Sequence, residues 1–173
     1  YYPAYVANYK LGGSFNGYVN LVLREEKGYT YGARTGFNAQ KHYGTFVASS
    51  AVRSTATLES AEIFRDLMKQ YREGVSQGDI DFTKDALLKG NALRFETHRA
   101  LLGMLSTMSA HGLPDDYIAR EEDYVRKVTV DDVNATVQKY IDPMKMYYVV
   151  AGDAATQLRE LRKLGFGEPV LIN

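Results

Sequence analysis

At Gly28 the hydrophobic period of the chain changes, which requires a helix to run directly into a strand. Ahead of it, Phe15, Tyr18, Val19 and Val22 recur at i, i+3, i+4 and i+7, the spacing of one helix face. Gly28 then follows Lys27 as a helix-stopping glycine would. From Thr30 onward, Tyr31, Ala33, Thr35 and Phe37 alternate with Gly32, Arg34, Gly36 and Asn38, the period of a half-buried strand. A second strand fits Gly44 to Val52, with "NAQKHY" as the turn of an antiparallel hairpin.

The remaining elements frame this junction. Upstream, Pro3 suits a first helical turn, "AYVANYK" ends at Gly12 and Gly13, and the next helix is expected to start after Ser14. Downstream, Thr57 is placed to cap a helix with Ala61, Phe64, Met68 and Tyr71 as its stripe and Gly74 as its stop. Three more helices are expected in "DIDFTKDALLKGNALRF", "HRALLGMLSTMSAHG" and "LPDDYIAREEDYVRKV"; the second carries Leu101, Leu105 and Met108 on one face and ends at Gly112. Thr129 and Asp132 resemble a capping box opening a helix with Val130, Val133 and Val137 inward, which Pro143 ends. "MKMYYVVAGD" reads as a buried strand, "ATQLRELRKLGFG" as a last helix and "PVLIN" as an edge strand. Strands cluster rather than alternate with helices, so the fold class is α+β: a mainly antiparallel sheet with helices packed on one face. With no repeat, linker or shift of composition, residues 1–173 read as one domain.

Composition removes several functions. Lys plus Arg and Asp plus Glu both number 21, leaving no net field to attract nucleic acid. The absence of cysteine excludes disulfides, thiolate zinc sites and cysteine nucleophiles. No apolar run approaches the roughly 18 residues of a membrane span. The chain opens without Met on "YYPAYVANYKLGG", which reads as mid-domain material, so a fragment or processed chain is expected. Tyrosine, 14 of 173 residues, suits surfaces that are apolar on one side and hydrogen-bonded on the other, as interfaces are.

The usual catalytic signatures are missing. His42, His98 and His111 are far apart, and none forms the one-turn imidazole pair of the zinc peptidases. Glu96 and His98 stand two apart on a helix, about 200° from each other, a poor chelate. "PDDY", "REEDY" and "VDD" read as solvated faces and helix N-terminal charges, and no serine sits in a G-x-S-x-G elbow. Arg24 and Tyr31 remain. A guanidinium and a phenol both donate to a carbonyl or carboxylate, and a phenol at a strand start can hydrogen-bond an oxyanion. Equally, Arg24 can pair with a neighbouring glutamate while Tyr31 packs its ring on the sheet.

The stretch "LGGSFNGYVNLVLREEKGYTYG" resembles the C-terminal half-domain of the M16 zinc peptidases: pitrilysin, insulinase and mitochondrial processing peptidase. The likeness extends less specifically over nearly the whole chain and departs from the common family pattern at Asn16, Gly17 and Tyr18. It implies a LuxS/MPP-like metallohydrolase fold, with the chain lacking its first strand and the catalytic H-x-x-E-H domain. It also implies divided labour. The companion domain, in the same polypeptide or a separate subunit, supplies zinc and the glutamate base. This chain binds no cofactor and supplies an Arg/Tyr pair that reaches the peptide substrate. Arg24 and Tyr31 match that pair, seven residues apart, with Tyr29 the neighbouring alternative. By this resemblance Tyr31 donates to the oxyanion, Arg24 orients substrate, and the chain is not active alone. Bacterial relatives are often periplasmic or membrane-attached, which the resemblance extends to this chain only as an expectation. A non-catalytic assembly protein of the same fold is the alternative.

Overall fold

The computed structural model describes residues 1–40, 42–91 and 94–172. Helix α1 (Tyr2–Asn8) carries Pro3 in its first turn and passes into a wide, π-type turn over Tyr9–Gly13. A short turn of helix, α2 (Tyr18–Asn20), passes into a second wide turn over Leu21–Glu26. Strands β1 (Thr30–Ala39) and β2 (Gly44–Val52) form the expected hairpin, with β1 running through Asn38 and Ala39 of the expected turn, which pair with Thr45 and Gly44. Lys41, inside the expected turn, lies outside the described residues. Six helices follow: α3 (Thr57–Glu73), α4 (Gln77–Asn91), α5 (His98–His111), α6 (Tyr117–Lys127), α7 (Val130–Tyr140) and α8 (Ala154–Leu161). The fold is α+β. Ala92 and Leu93, placed by the sequence pattern in the helix now labelled α4, lie outside the described residues.

One core joins α1, the wide turns, β1, α3, α4, α6 and α7. Its fully buried members include Val6, Leu11, Val19, Leu23, Met68, Val125, Val137 and Ile141. Each such side chain contributes about 1.5–3 kcal/mol relative to exposure. Phe64, Met68 and Tyr71 are the buried stripe of α3, and Val133 and Val137 that of α7. Polar ties fix the helices on this core. The Tyr71 hydroxyl donates to the Ala7 carbonyl at 2.9 Å, and the Asn134 carboxamide accepts the Val75 N–H at 2.9 Å where Gly74 ends α3. The capping box of Thr129 and Asp132 is present.

Several sequence expectations are corrected. Residues 14–17 form a turn, so the helix starts at Tyr18 and Phe15 lies outside it, exposed. In a π-type turn residues four apart come closest to one face, so Leu23 joins Val19 in the core and Val22 is only half-buried. Thr57 is the first residue of α3 rather than its cap, and its hydroxyl donates back to the Ser54 carbonyl at 3.0 Å. Helix α5 has no buried residue: Leu101 and Leu105 are exposed and Met108 is half-buried. The "MKMYYVVAGD" segment is not a buried strand. Tyr147 and Val149 are exposed, and Met146 and Tyr148 half-buried, the latter stacked on Phe166 at 4.5 Å. Nor do Val170–Ile172 pair as an edge strand; among the described residues β1 and β2 pair only with each other. A strand needs a neighbour's row of N–H and C=O groups, which apolar composition cannot supply.

Candidate functional site

The site is the junction where the second wide turn ends and β1 begins. Gly28 takes φ 62°, in the left-handed region, and reverses the chain. Its N–H donates to the Arg24 carbonyl at 3.1 Å, and the Tyr29 N–H donates to the Leu23 carbonyl at 2.9 Å. Arg24 therefore sits on the last turn and Tyr31 immediately beyond the reversal.

Close backbone approach fixes the junction from the other side. A Cβ on Gly12 would lie 2.6 Å from Thr35 Oγ1 and 2.7 Å from both Thr35 N and Val19 Cγ2, so only glycine lets this turn rest on β1. Two buried asparagines complete the contact. Asn8 donates to the Thr35 carbonyl at 2.9 Å and accepts the Thr35 hydroxyl at 2.5 Å. Asn20 accepts the Ala33 N–H at 3.0 Å and donates to the Phe15 carbonyl at 2.8 Å. Together they satisfy ladder groups of β1 that β2 does not reach, which also closes that stretch of strand edge to other chains.

Tyr31 occupies a β-bulge. Thr30 pairs with Val52 and Ala33 with Ser50, so Tyr31 and Gly32 together oppose the single residue Ala51. The extra residue breaks the alternation expected from the sequence. Ala33 and Thr35 face the core, whereas Tyr31 is 99% exposed. The hydroxyls of Thr30 and Ser50 pin the bulge. The Thr30 hydroxyl donates to the Ala51 carbonyl at 2.7 Å and accepts the Gly32 N–H at 3.0 Å. The Ser50 hydroxyl stands 2.9 Å from Thr30 Oγ1 and 3.0 Å from the Gly32 carbonyl, within donating reach of either.

Tyr31 lines an open cavity of about 540 Å³ with Phe15, Arg34, Ser49 and the Gly12–Ser14 backbone turn. The lining carries one formal positive charge, on Arg34, and no carboxylate. Among the described residues the Tyr31 phenol has no hydrogen-bond partner, so it is free to donate to whatever enters. Tyr29 is engaged. Its hydroxyl donates to Glu59 at 2.6 Å, the Arg53 guanidinium lies 4.7 Å above its ring, and Lys27 pairs with the same carboxylate at 2.9 Å. The hydrogen bond from Tyr29, then that from Lys27, holds the Glu59 carboxyl below its ordinary value, and the bond to Glu59 raises the Tyr29 phenol.

Arg24 does not line the cavity directly. Its guanidinium stacks over Phe15 at 4.6 Å, and Phe15 lines the cavity beside Tyr31. Arg24 Nη1 approaches Glu25 at 3.5 Å, but is buried and makes no hydrogen bond. The neighbouring-glutamate pairing anticipated for Arg24 is thus present as a loose contact, whereas Tyr31 does not pack on the sheet. Behind the junction, Tyr18 donates to Asp79 at 2.5 Å, and burial followed by this bond raises the Tyr18 phenol to about 12.

The sequence pattern gave Phe15 a place on a helix face and Thr30 the start of a strand, and marked neither these nor Asn8, Asn20 or Ser50 as part of a site. One signal was available, since glycine within a strand pattern is a bulge marker, and of Gly32 and Gly36 it is Gly32 that stands at the bulge. His42, His98 and His111 are all exposed, and the described residues contain no group of three His, Asp or Glu able to hold a metal.

The sequence model described as "Peptidase M16 inactive domain" matches residues 1–87, half of the chain and all of this junction. No curated protein sequence matches the chain. Among solved structures, the peptidase M16 inactive domain of Pseudomonas fluorescens superposes with a TM-score of 0.74 at 24% identity, over 83% of this chain and 34% of that one. A protease from Helicobacter pylori gives 0.66 at 15% identity, over 82% and 34%. A chain from Bordetella pertussis Tohama I, described as a candidate zinc protease, gives 0.62 at 14%, over 82% and 78%. This chain thus spans about a third of the length of the first two structures. By the match over residues 1–87, the chain belongs to the peptidase M16 inactive-domain family.

Proposed function

We propose that this chain is the substrate-binding and transition-state-stabilising half of a zinc-dependent metalloendopeptidase. Residues 1–173 form one domain of the C-terminal type, and its partner is a homologous H-x-x-E-H domain in the same polypeptide or another subunit. The observation that carries this reading is Tyr31. A large aromatic side chain is lifted off the sheet by a bulge and presents an unpartnered phenol at an open cavity, within a family-matched segment.

Zinc on the companion domain would polarise the scissile carbonyl and activate water. Tyr31 donates a hydrogen bond to the oxygen on which negative charge develops, keeping its own proton and changing no charge. Arg24 stacks on Phe15 with its Nη1 buried, and orients the peptide backbone or a carboxylate through its other N–H groups. The apolar residues exposed on α5 favour a second reading, a non-catalytic assembly subunit of the same fold.

Peptide cleavage by this chain mixed with its H-x-x-E-H companion separates the two. Tyr31→Phe is expected to lower kcat about 10²-fold, the cost of one oxyanion donor. Arg24→Ala is expected to raise KM. Unchanged turnover and KM in both variants would remove the catalytic reading and leave the assembly reading standing.

A further inference from the structure

We infer that Thr30 and Ser50 are positioning residues for Tyr31: their hydroxyls hold the bulge that lifts its side chain off the sheet beside the cavity. The inference rests on the role proposed for Tyr31. A bulge needs no hydroxyl to exist, yet this one is tied on three sides by side chains. Thr30 Oγ1 receives the Gly32 N–H, gives its proton to Ala51 opposite, and lies against Ser50 Oγ. Ser50 also reaches the Gly32 carbonyl. The peptide groups on the far side of Tyr31 are therefore held by hydroxyls on both strands, while its side chain touches nothing that could orient it.

Glycine at position 32 makes the arrangement consequential. A Cβ there would find its first neighbour only at 3.9 Å, so side-chain packing does not set the path of the backbone after Tyr31. The hydroxyls do. A phenol on an unrestrained bulge would spend much of its time away from the reacting oxygen, and misplacement by about 1 Å costs on the order of 10²-fold in rate. Such a loss falls on kcat, because the substrate contact proposed for Arg24 is untouched.

The test is steady-state cleavage of a fluorogenic peptide by the assembled peptidase, this chain with its zinc-binding companion. Thr30→Val and Ser50→Ala are each expected to lower kcat about 10-fold or more, with KM within about 2-fold of wild type. Thr30→Ser, which keeps the hydroxyl, should restore turnover. Combining Thr30→Val with Tyr31→Phe should be no slower than Tyr31→Phe alone, since a mis-aimed donor and an absent one are equivalent. Multiplying losses in the double variant, or equal failure of Thr30→Ser, would overturn the inference in favour of a purely structural role. Tyr31→Phe slow with Thr30→Val and Ser50→Ala at wild-type rate overturns the inference alone. Wild-type turnover in Tyr31→Phe overturns the reading of Tyr31 and this inference with it. Should Thr30→Val fail to assemble, Ser50→Ala, which removes a single oxygen, decides the question by the same readout.

Discussion

The junction from Gly12 to Thr35 and helix α5 are both built from sequences with clear helical or strand patterns, yet they end in opposite conditions. At the junction, backbone meets backbone at Gly12 and β1, two asparagines clasp the strand edge, and Val19 and Leu23 are completely buried. Helix α5 is capped correctly, with the Thr97 hydroxyl accepting the Ala100 N–H at 3.1 Å and Gly112 in the left-handed region at φ 60°, but buries nothing. Local signals are enough to make a helix; a second surface of fitting shape is needed to bury it. The junction has that surface within the chain, and α5 does not among the described residues.

Three substitutions sharpen the contrast, beginning with the most damaging. Gly12→Ala should destabilise the domain by about 3 kcal/mol, because the new methyl meets backbone as well as side chain and neither the wide turn nor β1 can retreat without losing the asparagine bonds. Denaturant midpoints of the two proteins would measure it, and an unchanged midpoint would mean that the close approach is not maintained in solution. Asn20→Ala comes next, at about 2 kcal/mol, since it leaves the buried Ala33 N–H and the Phe15 carbonyl without partners. Hydrogen exchange at the Ala33 amide should accelerate in step, and protection equal to wild type would break the clasp argument. The smallest effect belongs to α5. Leu102→Lys, at a position 65% exposed, should move stability by no more than about 0.5 kcal/mol. A larger loss of thermal stability would show that α5 is packed in a way the fold described above lacks.

Much of the fold was legible because its signals are local. The start of β1, the range of β2, the capping box at Thr129, and the stripes of α3 and α7 follow from period and cap chemistry, which depend on residues a few positions apart. The failures share a different cause. "MKMYYVVAGD" has the composition of a buried strand, but burial on both faces requires neighbours that sequence composition does not name. The stripe Phe15, Tyr18, Val19 and Val22 assumed 3.6 residues per turn; the wide turn exchanged Val22 for Leu23 and left Phe15 outside. Of the site, Arg24 and Tyr31 were found through their family-like motif, whereas the bulge that separates Tyr31 from Ala33 and Thr35 was not.

The sequence by itself determined where the helix stops and the hairpin begins, because Gly28, the change of period and the caps act within one or two turns of chain. It also presented Arg24, Tyr29 and Tyr31 as three donors close in sequence, with Tyr31 put ahead of Tyr29 by the resemblance of the motif and not by its chemistry. Tertiary structure alone decided which of their side chains are engaged and which is free. Glu59, thirty residues from Tyr29, takes the Tyr29 phenol; Phe15 receives the Arg24 guanidinium; and the two-against-one pairing with Ala51 sets Tyr31 free at the cavity. A side chain's availability depends on which distant groups claim its hydrogen bonds, and those claims are settled only when the chain has folded.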